Sequence, residues 1–276
     1  MRKIIYLVIC IFAVQACSED SITPELDFDV NPELSTSTSL DKKISDFYQK
    51  YDTYIVYNYS KEDINWNWDS YRHYVYSFPA NAEYAEKLLD FIETKFLSGF
   101  ADDILKKYLP YRIYLADTLW ETSNKKTQRY ALEGVNYFVF GGASEKNFPA
   151  EKNQRAAVQE WHECFASSLI AKTTETPEKF WSVSTYLREA IRTDQEMYER
   201  GYVWRNRILP PTKEEDFFKW VAWFGGTTKE GAMELCNQYP LMKKKYEYLV
   251  EYYKETFDID LEGIHWKDRK STRLNS

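Results

Sequence analysis

The 276-residue sequence predicts an α+β protein whose strands lie in the first half and whose second half is mainly helical. Runs rich in β-branched and aromatic residues, which favour strands, occur only before the glycine pair at 141–142. Beyond that pair, every periodic segment repeats its apolar residues at helical spacing. Segregation of strands from helices is typical of an α+β domain.

The chain begins with a segment that predicts export. Arg2 and Lys3 precede an apolar run at 4–14, which is too short to span a bilayer of about 30 Å and therefore predicts a signal peptide at 1–16. The end of that run, Val14-Gln15-Ala16-Cys17, resembles the lipobox of bacterial lipoproteins. The resemblance implies cleavage before Cys17 and lipid attached to Cys17, so that a membrane is the expected partner. The alternative is an ordinary signal peptide followed by a chance cysteine.

Residues 17–39 are predicted to form a flexible acidic tether. The segment contains two prolines and the run at 35–39 of alternating serine and threonine, a composition that cannot bury a core. The acidic stretch at 18–21 resembles an export tag of Gram-negative lipoproteins. It implies an outer membrane lipoprotein exposed at the cell surface, although a solvated periplasmic linker has the same composition.

One domain is predicted at 40–267. The 44% of hydrophobic residues indicate a packed globule, and a net charge of −7 argues against nucleic acid as a partner because phosphate binding needs a basic surface. The last nine residues, 268–276, break from the preceding composition and are predicted to be a non-native tail.

The predicted elements follow from apolar periodicity and from caps. Residues 40–50 show helical spacing after Ser39, a plausible N-cap. The remaining predicted helices are 81–97, 151–172, 183–200, 214–224, 229–238 and 241–257, and the predicted strands are 54–59, 112–119 and 130–140. The glycine pairs at 141–142 and 225–226 are predicted to be turns.

The cysteines leave one question open. Cys10 departs with the signal peptide and Cys17 is lipidated, so Cys164 and Cys236 remain. An exported protein can form a disulfide between them, whereas two buried free thiols are the alternative.

Several stretches share the order and spacing of a known family over nearly the whole domain. They are Leu40-Asp41 with Ile44 and Phe47, Tyr51 with Ile55, Tyr57 and Tyr59, the helix at 79–96, Tyr108-Leu109-Pro110, Gly134-Val135-Asn136-Tyr137, His162-Glu163 and Glu215-Asp216-Phe217. Together they resemble the zinc-binding metallopeptidase lipoproteins of gut-type bacteria, a gluzincin-like family. The resemblance implies a zincin-like metallopeptidase fold.

The family motif is HExxH on one helix, with an EDFxE-like motif on a later helix. Two histidines four residues apart bind zinc from one helical face, and the glutamate between them activates the zinc-bound water. The resemblance implies that His162 is a zinc ligand, Glu163 the catalytic base and Glu215 the third ligand.

The sequence departs from this motif at two ligand positions. Ala166 stands four residues after His162, and Lys219 stands where the later motif ends in an acid. A second alignment, which matches Phe165-Ala166-Ser167 to the family's Phe-Ala-His, places Glu163 and Ser167 at the two histidines and loses the site as well. Zinc is therefore implied by the resemblance, but the residues predict that it is not held.

Three functions remain open from the sequence. The first is a metallopeptidase-like lipoprotein with an incomplete HExxH site and lost or altered catalysis. The second is an active zinc-dependent peptidase with a non-standard ligand. The third is a lipoprotein that binds peptide or glycan, favoured by the dense aromatic clusters at 57–68 and 71–76.

Overall fold

The computed structural model describes residues 34–64, 76–120, 128–134 and 136–267. The predicted signal peptide, Cys17, most of the predicted tether and the predicted tail lie outside the described residues. Most of the aromatic residues at 57–76 do so too. From Leu34 onward, the described residues belong to one compact unit.

The described strands all end at or before Gly141, with helices between some of them, and the described elements beyond Gly141 are helical. The strands are β1 (Tyr54–Val56), β2 (Tyr76–Pro79), β3 (Arg112–Trp120), β4 (Ala131–Gly134) and β5 (Tyr137–Gly141). The α-helices are α1 (Ser39–Tyr51), α2 (Lys61–Ile64), α3 (Ala82–Lys95), α4 (Asp102–Tyr108), α5 (Gln154–Ile170), α6 (Glu178–Trp181), α7 (Asp194–Glu199), α8 (Lys213–Gly226), α9 (Lys229–Gln238) and α10 (Pro240–Phe257). The predicted α+β class is confirmed.

The described strands form one mixed sheet. Its order is β1-β3-β5-β4, with β2 also paired to β3. β1 and β5 run parallel to the central strand β3, whereas β2 runs antiparallel to it. β4 lies antiparallel to β5 and forms an edge of this order, beside helix α5.

Helix α1 shows how the sequence sets an element's start. Thr38 has an extended backbone and forms a capping box with Asp41, so that Thr38 is the N-cap and Ser39 already belongs to the helix. Leu40, Ile44 and Phe47 recur at helical spacing and are buried. The predicted helix is confirmed, and the predicted cap was one residue too late.

The segment at 130–140 is not one strand, as the sequence suggested. It forms β4 and β5, which pair with each other around Asn136. Asn136 has a φ of 62°, in the left-handed region that asparagine tolerates better than most residues. Glu133, Gly134 and Asn136 interrupt the apolar residues of this segment, and they were the available signal for the turn.

The predicted helix at 183–200 is also wrong in most of its length, since within this fully described segment only Asp194–Glu199 is α-helical. The preceding residues form long-range hydrogen bonds instead. The Ser184 hydroxyl donates to the Arg200 carbonyl at 2.7 Å, and the Ile191 amide donates to the Ile208 carbonyl at 2.7 Å. Tertiary contacts thus override the local helical periodicity.

The main core cluster contains residues of β1, β3, β4 and β5 and of helices α1, α3, α4, α5, α8, α9 and α10. Its largest fully buried side chains include Trp161 and Phe165 of α5, Trp220 of α8 and Phe140 of β5. Among the described helices, none has both the length and the apolar character that a bilayer crossing requires.

Candidate ligand cleft at the Glu163–Lys219 ion pair

Helix α5 is held in the core by its apolar face. Trp161, Phe165 and Leu169 recur along one side and are buried. The Trp161 indole N–H donates to the Tyr130 carbonyl at 3.2 Å. This bond ties α5 to the residue that directly precedes β4. The neighbouring residues of α5 are thereby directed either into the core or towards α8.

His162 lies in the core. Its side chain is 2% exposed, and its ring packs against Phe96 and Phe100, with centroids 4.9 and 5.6 Å away. Burial lowers the pKa of His162 to about 3, so the ring is neutral at physiological pH. Its Nδ1 atom is buried without a hydrogen-bond partner among the described residues.

The close approach of α8 to α5 also buries the His162 side chain. Gly225 and Gly226 are the last two residues of α8, not the turn that the sequence suggested. A Cβ atom on Gly225 would lie 2.0 Å from His162 Cδ2, and one on Gly226 would lie 2.3 Å from the Gln159 side chain. Glycine is therefore required here by the contact between the two helices.

Glu163, one residue further along α5, faces α8 and is bound there by Lys219. The ammonium group of Lys219 donates to both carboxylate oxygens, at 2.6 and 2.7 Å. The two side chains are 26% and 23% exposed, so the pair lies at the border between core and solvent. The carboxylate that the resemblance identified as a catalytic base is thus neutralised by the residue that departs from the family motif.

Glu215 caps the N-terminus of α8 together with Thr212. Its carboxylate accepts from the Thr212 amide at 2.8 Å, and its own amide donates to the Thr212 hydroxyl at 3.2 Å, which forms a capping box. Gly225, which touches His162, lies ten residues further along the same helix, a distance of about 15 Å. The structure therefore does not bring His162 and Glu215 together.

The orientation of α5 favours the second alignment with the family motif. Glu163 and Ser167 lie one turn apart on the side of α5 that faces α8 and β4. Glu163 binds Lys219 of α8, and Ser167 lies beside Glu133 of β4. Ala166 is fully buried, so a histidine at that position would enter the core and could not face a metal beside Glu163.

The ion pair lies in a cleft of about 310 Å³, hereafter the Glu163 cleft. Its walls are the residues just before β4, helices α5 and α8, and the segment after α7. They carry Gln128, Arg129, Ala156, Gln159, Glu160, Glu163, Val203, Trp204, Lys219, Ala222 and Trp223.

Glu160 and the two tryptophans of the cleft were missed from the sequence. Glu160 accepts from the Tyr130 and Ala131 amides at 2.6 and 2.9 Å and lies 3.3 Å from Arg129 Nε. Its position three residues before Glu163 places both carboxylates on one helical face, which was a usable signal. For Trp204 the sequence held no comparable signal, because the segment after α7 is brought to the cleft only by tertiary packing.

The described residues do not fit a zinc ion. No group of three or more His, Cys, Asp and Glu side chains that could hold a metal occurs in the described part of the chain. Both oxygens of Glu163 already accept from Lys219, and His162 is enclosed by aromatic rings. A zinc site normally takes at least three protein ligands.

Cys164 and Cys236 are free thiols, and both are buried. Burial raises the pKa of the Cys164 thiol well above its usual range and that of Cys236 to about 11. Neither cysteine is a thiolate at neutral pH, so neither offers the form that binds metal or attacks an electrophile.

Comparison with solved structures shows which fold this is. The chain is similar to a protein from Bacteroides caccae described as a "putative zinc-binding metallo-peptidase". The TM-score is 0.57 at 14% sequence identity, and the match covers 82% of this chain and 88% of the other. This chain has a metallopeptidase-like fold. No family profile matches the sequence, and no curated protein matches it.

Replacement of His162 by Leu is expected to flatten the pH dependence of stability. The folded pKa of His162 is about 3 and the usual value is 6.5, so the unfolded chain binds one more proton between these values. The free energy of unfolding should therefore fall as pH decreases through this range, by up to about 1.4 kcal/mol per pH unit from this residue. Urea denaturation at several pH values between about 4 and 6 measures it. Equal slopes for the variant and the unmodified protein would show that folding does not shift the pKa of His162.

Proposed function

We propose that this protein is a lipid-anchored binding protein that has a metallopeptidase-like fold and does not hydrolyse peptides. The observation that carries the proposal is the engagement of both Glu163 oxygens by Lys219. A general base must be free to accept a proton from water, and the water must be activated. In this cleft the Lys219 ammonium group binds both oxygens of Glu163, so that the carboxylate is not free to accept a proton from water.

The geometry of the cleft suits binding better than catalysis. The carboxylates and cations in its walls are paired with each other, in Glu160–Arg129 and Glu163–Lys219. The cleft nevertheless remains open to solvent and is lined by tryptophans and amide groups. Concave sites with apolar walls and a few placed polar groups are typical of ligand binding.

The test is zinc uptake by a variant that restores the ligand set. Glu163→His, Ser167→His and Lys219→Glu together supply two imidazoles one helical turn apart and a carboxylate from α8. We expect about one zinc per chain in this variant after dialysis, and no stoichiometric zinc or peptidase activity in the unmodified protein.

The matched control replaces Ser168 with His in place of Ser167. Ser168 lies about 100° further around the helix, and its hydroxyl donates to the Tyr108 carbonyl at 2.6 Å. This control should not retain zinc. Stoichiometric zinc in the unmodified protein, together with peptidase activity that a chelator removes, would overturn the proposal.

The proposed anchor has its own test. Because the lipobox-like junction ends in Cys17, Cys17→Ser should release the protein from outer membranes and abolish acyl labelling. Cys10→Ser is the matched control and should leave both unchanged. Retention of the Cys17→Ser variant in the membrane fraction with undiminished acyl labelling would contradict lipidation at Cys17.

A further inference from the structure

The Glu163 cleft is electrically balanced. Arg129 lies 3.3 Å from Glu160, and Lys219 lies 2.6 Å from Glu163, so each cation in the walls faces a carboxylate within the cleft. A charged ligand would have to separate one of these half-buried pairs and leave its partner uncompensated. The cleft therefore favours an uncharged ligand.

Two tryptophans supply broad apolar surface in this polar setting. Trp204 and Trp223 both line the cleft and are both half-buried. The Lys219 ammonium lies 5.2 Å from the Trp204 ring centroid, so the aromatic ring and the ion pair form one continuous surface. The negative face of an indole ring attracts the weakly positive C–H groups of a ligand that stacks on it.

Planar polar groups complete the walls. Gln128 and Gln159 contribute amides, each with donor and acceptor atoms side by side, next to the Glu160 carboxylate and the Arg129 guanidinium. Such groups match ligands that carry neighbouring hydroxyls, because a hydroxyl both donates and accepts. C–H faces together with adjacent hydroxyls on an uncharged ring are the chemistry of a sugar.

The adjoining strand argues against an extended peptide. A peptide that adds to a sheet edge needs free backbone amides on that edge. At the start of β4 the amides of Tyr130 and Ala131 donate to the Glu160 carboxylate, at 2.6 and 2.9 Å. The end of β4 that borders the cleft is thus already occupied by a side chain of α5.

We propose that the Glu163 cleft binds a neutral oligosaccharide, with sugar rings stacked on Trp204 and Trp223. This inference rests on the proposed function, since it requires a cleft that binds without cleaving. A volume of about 310 Å³ is at the small end of ligand pockets and suits a short stretch of a glycan.

The experiment uses affinity electrophoresis of the full chain through gels that contain soluble neutral polysaccharides, namely starch, mannan, xylan and mixed-linkage glucan. At least one should retard the unmodified protein. Trp204→Ala and Trp223→Ala should each weaken that binding about tenfold or more, equivalent to ~1.4 kcal/mol. Trp181→Ala, which removes a tryptophan outside the cleft, is the matched control and should bind as the unmodified protein does.

Tryptophan fluorescence of the unmodified chain gives a readout that needs no variant. Titration with an oligosaccharide of the retarding polysaccharide should shift the emission, and a digest of casein peptides should not. Absence of retardation by all four polysaccharides, undiminished binding by both cleft variants, or a response to peptides alone would overturn the inference. Zinc is measured in the same sample to separate the two proposals. A zinc-free protein that binds no glycan would refute the oligosaccharide ligand and leave the proposed loss of peptidase activity standing.

Discussion

Replacement of Lys245 by Met is expected to destabilise the protein by about 3–5 kcal/mol. Lys245 of α10 is 0% exposed, and its ammonium group donates to Asp216 of α8, which is 1% exposed. The Tyr186 hydroxyl donates to the same carboxylate at 2.7 Å. Without Lys245, Asp216 would remain buried with one hydrogen bond and no opposite charge.

The surroundings of this pair explain why replacement of only one partner should strongly reduce stability. The Lys245 ammonium lies 4.6 Å from the Phe180 ring centroid and 4.8 Å from that of Tyr202. Burial raises the pKa of Asp216 and lowers that of Lys245, because each charged form has lost its water. Addition of Asp216→Leu to Lys245→Met should therefore recover much of the loss, as replacement of both partners often does.

Chemical denaturation of the two single variants and the double variant measures this prediction. Lys254→Met is the matched control, because Lys254 is an exposed residue of the same helix and pairs with Asp258. Its cost should be much smaller, because exposed ion pairs contribute little to stability. If Lys245→Met costs no more than Lys254→Met, the pair is not buried as described.

The second large effect is expected from Phe165→Ala, at about 3–5 kcal/mol. Phe165 is 1% exposed, and its ring packs against Phe96 and Phe100, with centroids 5.8 and 4.8 Å away. Its removal would leave a cavity between α5 and the chain that follows α3. The loss combines the transfer free energy of the ring with the cost of that cavity.

Two other variants set the scale for Phe165→Ala in the same denaturation series. Phe78→Ala deletes the same side chain where 42% of it is exposed, and its cost should be clearly smaller. Glu163→Gln should cost about 1 kcal/mol or less, because the Glu163–Lys219 pair is partly solvated. A larger loss from Glu163→Gln than from Phe165→Ala would mean that the wrong face of α5 is buried.

The fold was predictable where local pattern and tertiary packing agree. Helix α9 was predicted to its exact bounds because Thr228 caps it and its apolar residues keep their spacing. The turn at Asn136 and the irregular chain before α7 were missed. Their conformations depend on a single left-handed residue in one case and on distant hydrogen bonds in the other.

The candidate site was predictable in composition but not in orientation. The sequence identified Glu163 and the departure at Lys219, and the structure joins these two residues. It could not show that His162 faces the core, because the face of a helix that meets its neighbour depends on the packing partner. Here that partner is Gly225, and the glycine pair resembles a turn until the two helices are seen in contact.

We infer that Lys219 neutralises Glu163 and that the Glu163 cleft takes up no metal ion. The most direct measurement is a crystal structure of the protein grown with zinc, with anomalous data collected at the zinc absorption edge. We predict no anomalous peak in the Glu163 cleft and a Lys219 ammonium within hydrogen-bond distance of both Glu163 oxygens. An anomalous peak coordinated by Glu163, with Lys219 displaced from it, would contradict the claim.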